Sequence, residues 1–114
     1  MSRPNVDGFF WDELLPRQEL IALAEAFGGI RLHVPRTMTP THHIAKAIGF
    51  DAAMRLWDAL GEGAITVPLY RELRAVHYRE KGFSYAQIAR KLGITEKGVS
   101  AIFSRIRDRV GDTE

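Results

Sequence analysis

Residues 83–111 read FSYAQIARKLGITEKGVSAIFSRIRDRVG, and local chemistry alone writes two helices and a turn into them. Ser84 is a helix N-cap residue, and Gln87, three positions on, completes a capping box. Phe83 and Ile88 stand where a hydrophobic staple needs them. The first helix runs to Leu92, and Gly93 supplies the left-handed residue that turns the chain. Thr95 caps a second helix, Ile94 and Val99 repeat the staple, and Glu96 lies in the first turn, where negative charge suits the helix dipole. Two helices joined by about three residues cross steeply and pack closely. Ala89 keeps the crossing narrow, and Ile88, Leu92, Ile94, Val99 and Ile102 supply a miniature core. The pattern predicts a helix-turn-helix.

The second helix has two faces. Val99, Ile102, Phe103, Ile106 and Val110 follow helical spacing and are expected to point inward. Lys97, Ala101, Ser104, Arg105 and Asp108 lie opposite, with Ser100 on the flank. In a DNA-binding helix-turn-helix the first residues of this helix enter the major groove. The residues expected at DNA are therefore Ser84, Tyr85, Thr95, Lys97, Ser100, Ala101, Ser104 and Arg105. Gly98 weakens a helix by up to about 1 kcal/mol relative to alanine. It permits close approach of the backbone to DNA, or is simply tolerated near a helix start; the sequence leaves both readings open.

Upstream, the spacing predicts a helix from Leu69 to Lys81 with Pro68 at its start and Leu69, Leu73, Val76 and His77 on its inner side. Arg71, Arg74, Arg79 and Lys81 lie mostly elsewhere. Of these, Arg71, Arg74 and Lys81, together with Arg90 and Lys91, are the expected phosphate contacts, which set affinity rather than sequence. Charge agrees with that placement. Residues 1–68 carry six Lys/Arg against eight Asp/Glu, and residues 69–114 carry ten against six. Only the second half is built to meet an anion.

The first half contains a small unit twice. LIALAEAFGGIRLHVP, Leu20 to Pro35, aligns with AMRLWDALGEGAITVP, Ala53 to Pro68. Each copy reads as amphipathic helix, glycine stop, short strand and proline. In the first, Leu14, Leu15, Leu20, Ile21, Leu23, Ala24 and Phe27 share a helical face, Gly28-Gly29 ends the helix, and Ile30, Leu32 and Val34 alternate with Arg31 and His33 as in a strand. In the second, Thr41 caps a helix interrupted near Gly49 and running to Leu60, and Ala64 to Val67 form the strand. Two copies are too few for a solenoid. Strands this short expose unpaired edges, which predicts that they pair with a second copy of the chain. The dimer contact is expected at Leu20, Leu23, Phe27, Leu56, Trp57, Leu60, Ile65 and Val67. The expected fold is mainly α: a helix and short-strand dimerisation module over 1–67, then a helix-turn-helix domain over 68–114.

Other features exclude other classes. The chain has 114 residues and no cysteine, so a disulfide framework, a thiolate nucleophile and a zinc ribbon are ruled out. No apolar run reaches the roughly 18 residues of a membrane span. The opening MSRPNVDGFFWDELL lacks the apolar core of a signal peptide, and a cytoplasmic protein is expected. His33, His42, His43 and His77 sit in no metal-binding or acid-base frame, and no phosphate loop or serine elbow is present. No enzyme activity, cofactor or metal site is expected.

These pieces together resemble the Mor transcription-activator family of Mu-like bacteriophages. The resemblance covers nearly all of the chain. It rests on the GG-x-x-L-x-VP unit at Gly28–Pro35, on Val67-Pro68, on LRAVHYREKG at 73–82 and on the terminal helix-turn-helix. It departs at Gly61-Glu62-Gly63, which is not a tight Gly-Gly pair, and in the few basic residues near the start of the last helix. The resemblance implies an intertwined homodimer whose strands pair across the two-fold axis. It also implies double-stranded DNA carrying a dyad element as ligand, activation by recruiting RNA polymerase, and action in the cytoplasm of a bacterial host cell. Two other functions fit the residues: a nucleoprotein component like a small terminase subunit, and a protein-interaction module whose helix-turn-helix does not bind DNA.

Overall fold

A computed structural model of the chain describes residues 8–112. Residues 1–7, which open the stretch expected to lack a signal peptide's apolar core, lie outside the described residues, as do 113–114. Among the described residues are α1 (Gly8–Leu14), α2 (Arg17–Phe27), β1 (Arg31–Val34), α3 (His43–Ile48), α4 (Phe50–Leu60), β2 (Gly63–Thr66), α5 (Arg71–Glu80), α6 (Tyr85–Leu92) and α7 (Glu96–Asp112). The protein is mainly helical with one two-stranded sheet. It divides into two compact units between Tyr70 and Arg71, a little beyond the boundary expected after residue 67. No helix among the described residues is long and apolar enough to cross a membrane.

In the first unit, Pro16 splits the leading apolar run. A proline has no N–H to give and a fixed φ, so α1 ends before it and α2 starts afresh. The Pro16 carbonyl accepts from Leu20 N–H at 3.0 Å. Leu14, expected on the α2 face, ends α1 instead and is half-buried, whereas Trp11 and Leu15 are fully buried.

Gly28 and Gly29 are needed for different reasons. Phe27–Ile30 is a type II turn: Gly28 has φ −58° and ψ 132°, Gly29 has φ +82°, and Ile30 N–H donates to the Phe27 carbonyl at 3.1 Å. Gly29 N–H also donates to the Val67 carbonyl at 2.8 Å, while Val67 N–H donates to the Ile30 carbonyl at 3.2 Å. Two residues thus oppose one, a β-bulge whose first position demands a left-handed glycine. At Gly28 a Cβ would lie 2.5 Å from the Ala24 carbonyl oxygen.

The bulge fixes the register of an antiparallel pair, with Arg31 opposite Thr66 and Val34 opposite Gly63. This corrects the pairing expected from sequence. Each strand finds its partner within the chain, because the helices between them return β2 to the side of β1 and the bulge hydrogen bonds lock it there. Ile30, expected in the strand, belongs to the turn and is exposed. Leu32, Val34, Ile65 and Val67 are buried together with Leu20, Leu23, Ile44 and Leu56.

The expected dimer contact is corrected with it. Leu20, Leu23, Leu56, Leu60, Ile65 and Val67 are buried inside one chain, each stabilising this unit by about 1.5–3 kcal/mol, and offer no surface to a second copy. Phe27 and Trp57 are half-buried. The Phe27 ring meets His43 edge-on at 5.5 Å, and Trp57 Nε1 donates to the Arg36 carbonyl at 3.2 Å. The α3 cap also differs: His42, not Thr41, takes it, its Nδ1 accepting from Ile44 N–H at 3.1 Å. The break before α4 falls at Gly49, φ +93°, as the sequence suggests.

The second unit is three helices around Ala75, Tyr78, Ile88, Ala89, Leu92, Val99 and Ile102, with Phe83, Tyr85, Ile94, Phe103 and Ile106 packed against them. α5 begins at Arg71 rather than at Pro68, since Tyr70 holds a positive φ of 52° that no helix continues. Its buried side is Arg74, Ala75 and Tyr78; Leu73, Val76 and His77, expected there, are half-buried.

Candidate nucleic-acid interface

The geometry from Phe83 onward follows from its local chemistry. Ser84 Oγ accepts from Gln87 N–H at 3.1 Å, and Gln87 Oε1 accepts from Ser84 N–H at 2.8 Å, closing the capping box. Gly93 ends α6 in the left-handed conformation, φ 70° and ψ 34°, and Ile94 N–H reaches back to the Ala89 carbonyl at 3.0 Å. Thr95 Oγ1 accepts from Gly98 N–H at 3.0 Å at the start of α7. Val99 and Ile102, at 0% and 2% exposure, seat α7 on α5 and α6.

With that side fixed, the opposite side of α7 faces solvent. Lys97, Ser100, Ala101 and Arg105 are exposed and lie on one side of the helix by its 3.6-residue period. Ser104, on the same side, is half-buried and accepts from Arg107 at 3.1 Å. Ser84 and Thr95 are exposed, with hydroxyls spent on their caps. Tyr85 is half-buried; its ring stacks on Phe103 at 5.3 Å, tying the start of α6 to the flank of α7, and Arg79 lies over it at 5.1 Å.

The expected phosphate contacts do not gather on one surface. Arg71 lines a depression with Ala101 and Arg105, whereas Arg90 and Lys91 line another with Phe83 and Gln87. All four cations, and Lys81, are exposed. Arg74 must be removed from the set. It is 8% exposed, donating from Nε to the Tyr78 hydroxyl at 3.2 Å and from Nη2 to the Lys91 carbonyl at 3.0 Å. Its guanidinium satisfies a carbonyl in the last turn of α6, which helix geometry leaves unpaired.

The sequence reading missed a charge pairing beside this surface. Glu72 on α5 accepts from Arg109 at 2.6 and 3.3 Å and lies 3.9 Å from Arg105. The hydrogen bond from Arg109 holds the Glu72 carboxyl below its ordinary range, against the opposing effect of burial and with help from the Arg109 and Arg105 charges. The i, i+4 spacing of Arg105 and Arg109 was the available signal; the acidic partner lies more than thirty residues away in sequence. Among the described residues no three His, Cys, Asp or Glu side chains are placed to hold a metal ion.

Comparison with family models, with curated proteins and with solved structures found no match.

Proposed function

We propose that residues 71–114 are a helix-turn-helix that binds double-stranded DNA in a sequence-specific way, and that the protein regulates transcription. The observation that carries this reading is the two-sided α7. Val99 and Ile102 anchor one side, and Lys97, Ser100, Ala101 and Arg105 stand open on the other. A rod held from behind, with hydrogen-bonding side chains and small residues in front, suits entry into a major groove. Lys97 and Ser100 meet base edges, Ser104 and Arg105 border them, and the exposed Arg71, Lys81, Arg90 and Lys91 supply charge for the phosphates. The resemblance to the Mor family extends the proposal to a homodimer on a dyad element that activates by recruiting RNA polymerase. Such a dimer rests on surfaces other than the buried apolar residues of the first unit.

Selection of bound duplexes from a random pool tests the proposal. The expected result is enrichment of one sequence with two half-sites, about one helical turn or a multiple of it apart. A single enriched half-site removes the dimer and keeps the DNA reading. No enriched sequence and no complex at low salt favour a protein-interaction module instead. One observation supports that second reading: Glu96 and Lys97 oppose each other in charge in the first turn of α7.

A further inference from the structure

Gly98 sits in the first turn of α7, where the fold has no use for a glycine. Its φ is not positive, and a Cβ there would stand 3.4 Å from Ile94 Cδ1 and Thr95 Oγ1, an ordinary contact. Neither backbone nor packing requires the missing side chain, and glycine disfavours a helix relative to alanine. Without a Cβ, the α7 backbone at this position can be approached closely from outside the unit. Gly98 and Ala101 form part of a depression completed by Ile94 and Ile102, with Arg71 and Arg105 also lining it.

We propose that this depression seats one sugar–phosphate of the DNA backbone, its phosphate held between Arg71 and Arg105; this rests on the DNA-binding reading above. The chemistry is complementary in both parts. A deoxyribose presents carbon, and Gly98, Ala101 and the half-buried Ile94 offer carbon in return. A phosphodiester presents two non-bridging oxygens that share one negative charge, and two guanidiniums offer paired donors suited to them. Glu72 is held by Arg109 at 2.6 Å and reaches Arg105 only at 3.9 Å, so Arg105 keeps donors for a ligand. With a side chain at position 98 the backbone strand would be pushed outward, and both guanidiniums would lose their reach.

The test uses the full chain with two probes, a duplex recovered from the random pool and a random-sequence duplex of equal length. Arg105→Gln and Arg71→Gln are each expected to weaken binding to both probes about tenfold, and to lower the slope of log affinity against log salt by about one. Gly98→Ala is expected to lower affinity by a similar factor while melting at the same temperature as the unsubstituted chain or higher. A neutral methylphosphonate walked along the duplex is expected to reveal one position at which Arg105→Gln and Arg71→Gln cost nothing further. Arg105→Lys, which keeps the charge, recovers part of the binding. If the unsubstituted chain binds DNA and Gly98→Ala, Arg71→Gln and Arg105→Gln bind equally well, the depression is not a phosphate seat and the DNA reading survives. If a methylphosphonate at no position masks the arginine effects, the two residues do not share a phosphate. If the unsubstituted chain binds neither probe, both inferences fall.

Discussion

Arg74 and the two glycines flanking the α7 start carry the predictions that belong to single residues. Arg74 holds Tyr78 and the Lys91 carbonyl from within the second unit. Its removal takes this donor from the Tyr78 hydroxyl and from the Lys91 carbonyl and opens the space of its stem. Arg74→Ala is expected to lower unfolding free energy by about 2–4 kcal/mol, read by urea denaturation, with the salt slope of DNA binding by the folded variant unchanged. Unaltered stability with a shallower slope would return Arg74 to the phosphate set. Sequence reading placed it there because helical phase separates sides but does not say which side a long, partly apolar side chain takes. Its carbonyl partner lies 17 residues on, beyond any local pattern. The glycines split in the opposite sense. Gly93 holds a left-handed φ of 70° with open space around it, so Gly93→Ala pays only backbone strain, about 1–2 kcal/mol. Gly98→Ala, in helical backbone with room for a Cβ, is expected to gain up to about 1 kcal/mol.

Elements whose signals lie within four residues were legible. The capping box at Ser84, the Gly93 turn and the Thr95 cap all appear where their spacing put them, since each is a contact between near neighbours in the chain. Strand pairing was not legible: Arg31 meets Thr66 because the intervening helices return β2 to β1, a long-range path that no local pattern carries, and the bulge at Gly29 with Val67 then fixes the register. The α3 cap was missed for a chemical reason, because histidine is not a common N-cap residue. That cap makes the element sensitive to acid. Burial, then the charges of His43 and His33, hold His42 below the ordinary histidine value of 6.5. His42 and His43 stack at 4.2 Å, and the Nδ1 that accepts from Ile44 is lost as an acceptor when protonated. The folded value lies below the unfolded one, so the unfolded chain takes up protons first. The His42 contribution is therefore whole above 6.5 and declines as pH falls through that value toward the folded one. His42→Asn keeps a capping acceptor that does not titrate. Its melting temperature is expected to fall less than that of the unsubstituted chain between about pH 8 and about pH 5; equal losses would place the acid sensitivity elsewhere.

On the scale of the whole molecule, charge is divided unevenly along the chain. The first 68 residues are net acidic and the last 46 net basic, so an anionic duplex is attracted to one unit and repelled by the other. With Arg74 turned inward, the exposed cations proposed to meet phosphates are Arg71, Lys81, Arg90, Lys91 and Arg105. If these five and no others each neutralise one phosphate, log affinity falls against log salt with a slope of about −4.5 per protomer. Because Arg90 and Lys91 line a different depression from Arg71 and Arg105, one straight backbone strand does not meet all five, and a slope nearer −2 to −3 is expected. Fluorescence anisotropy between about 50 and about 200 mM salt reads it directly. The same measurement on Arg90→Gln/Lys91→Gln assigns that pair: a slope shallower by about two places the α6 end on DNA. An unchanged slope frees that surface from the duplex. A slope of zero for the unsubstituted chain would mean that the basic half meets no phosphate at all, whatever the shape of α7.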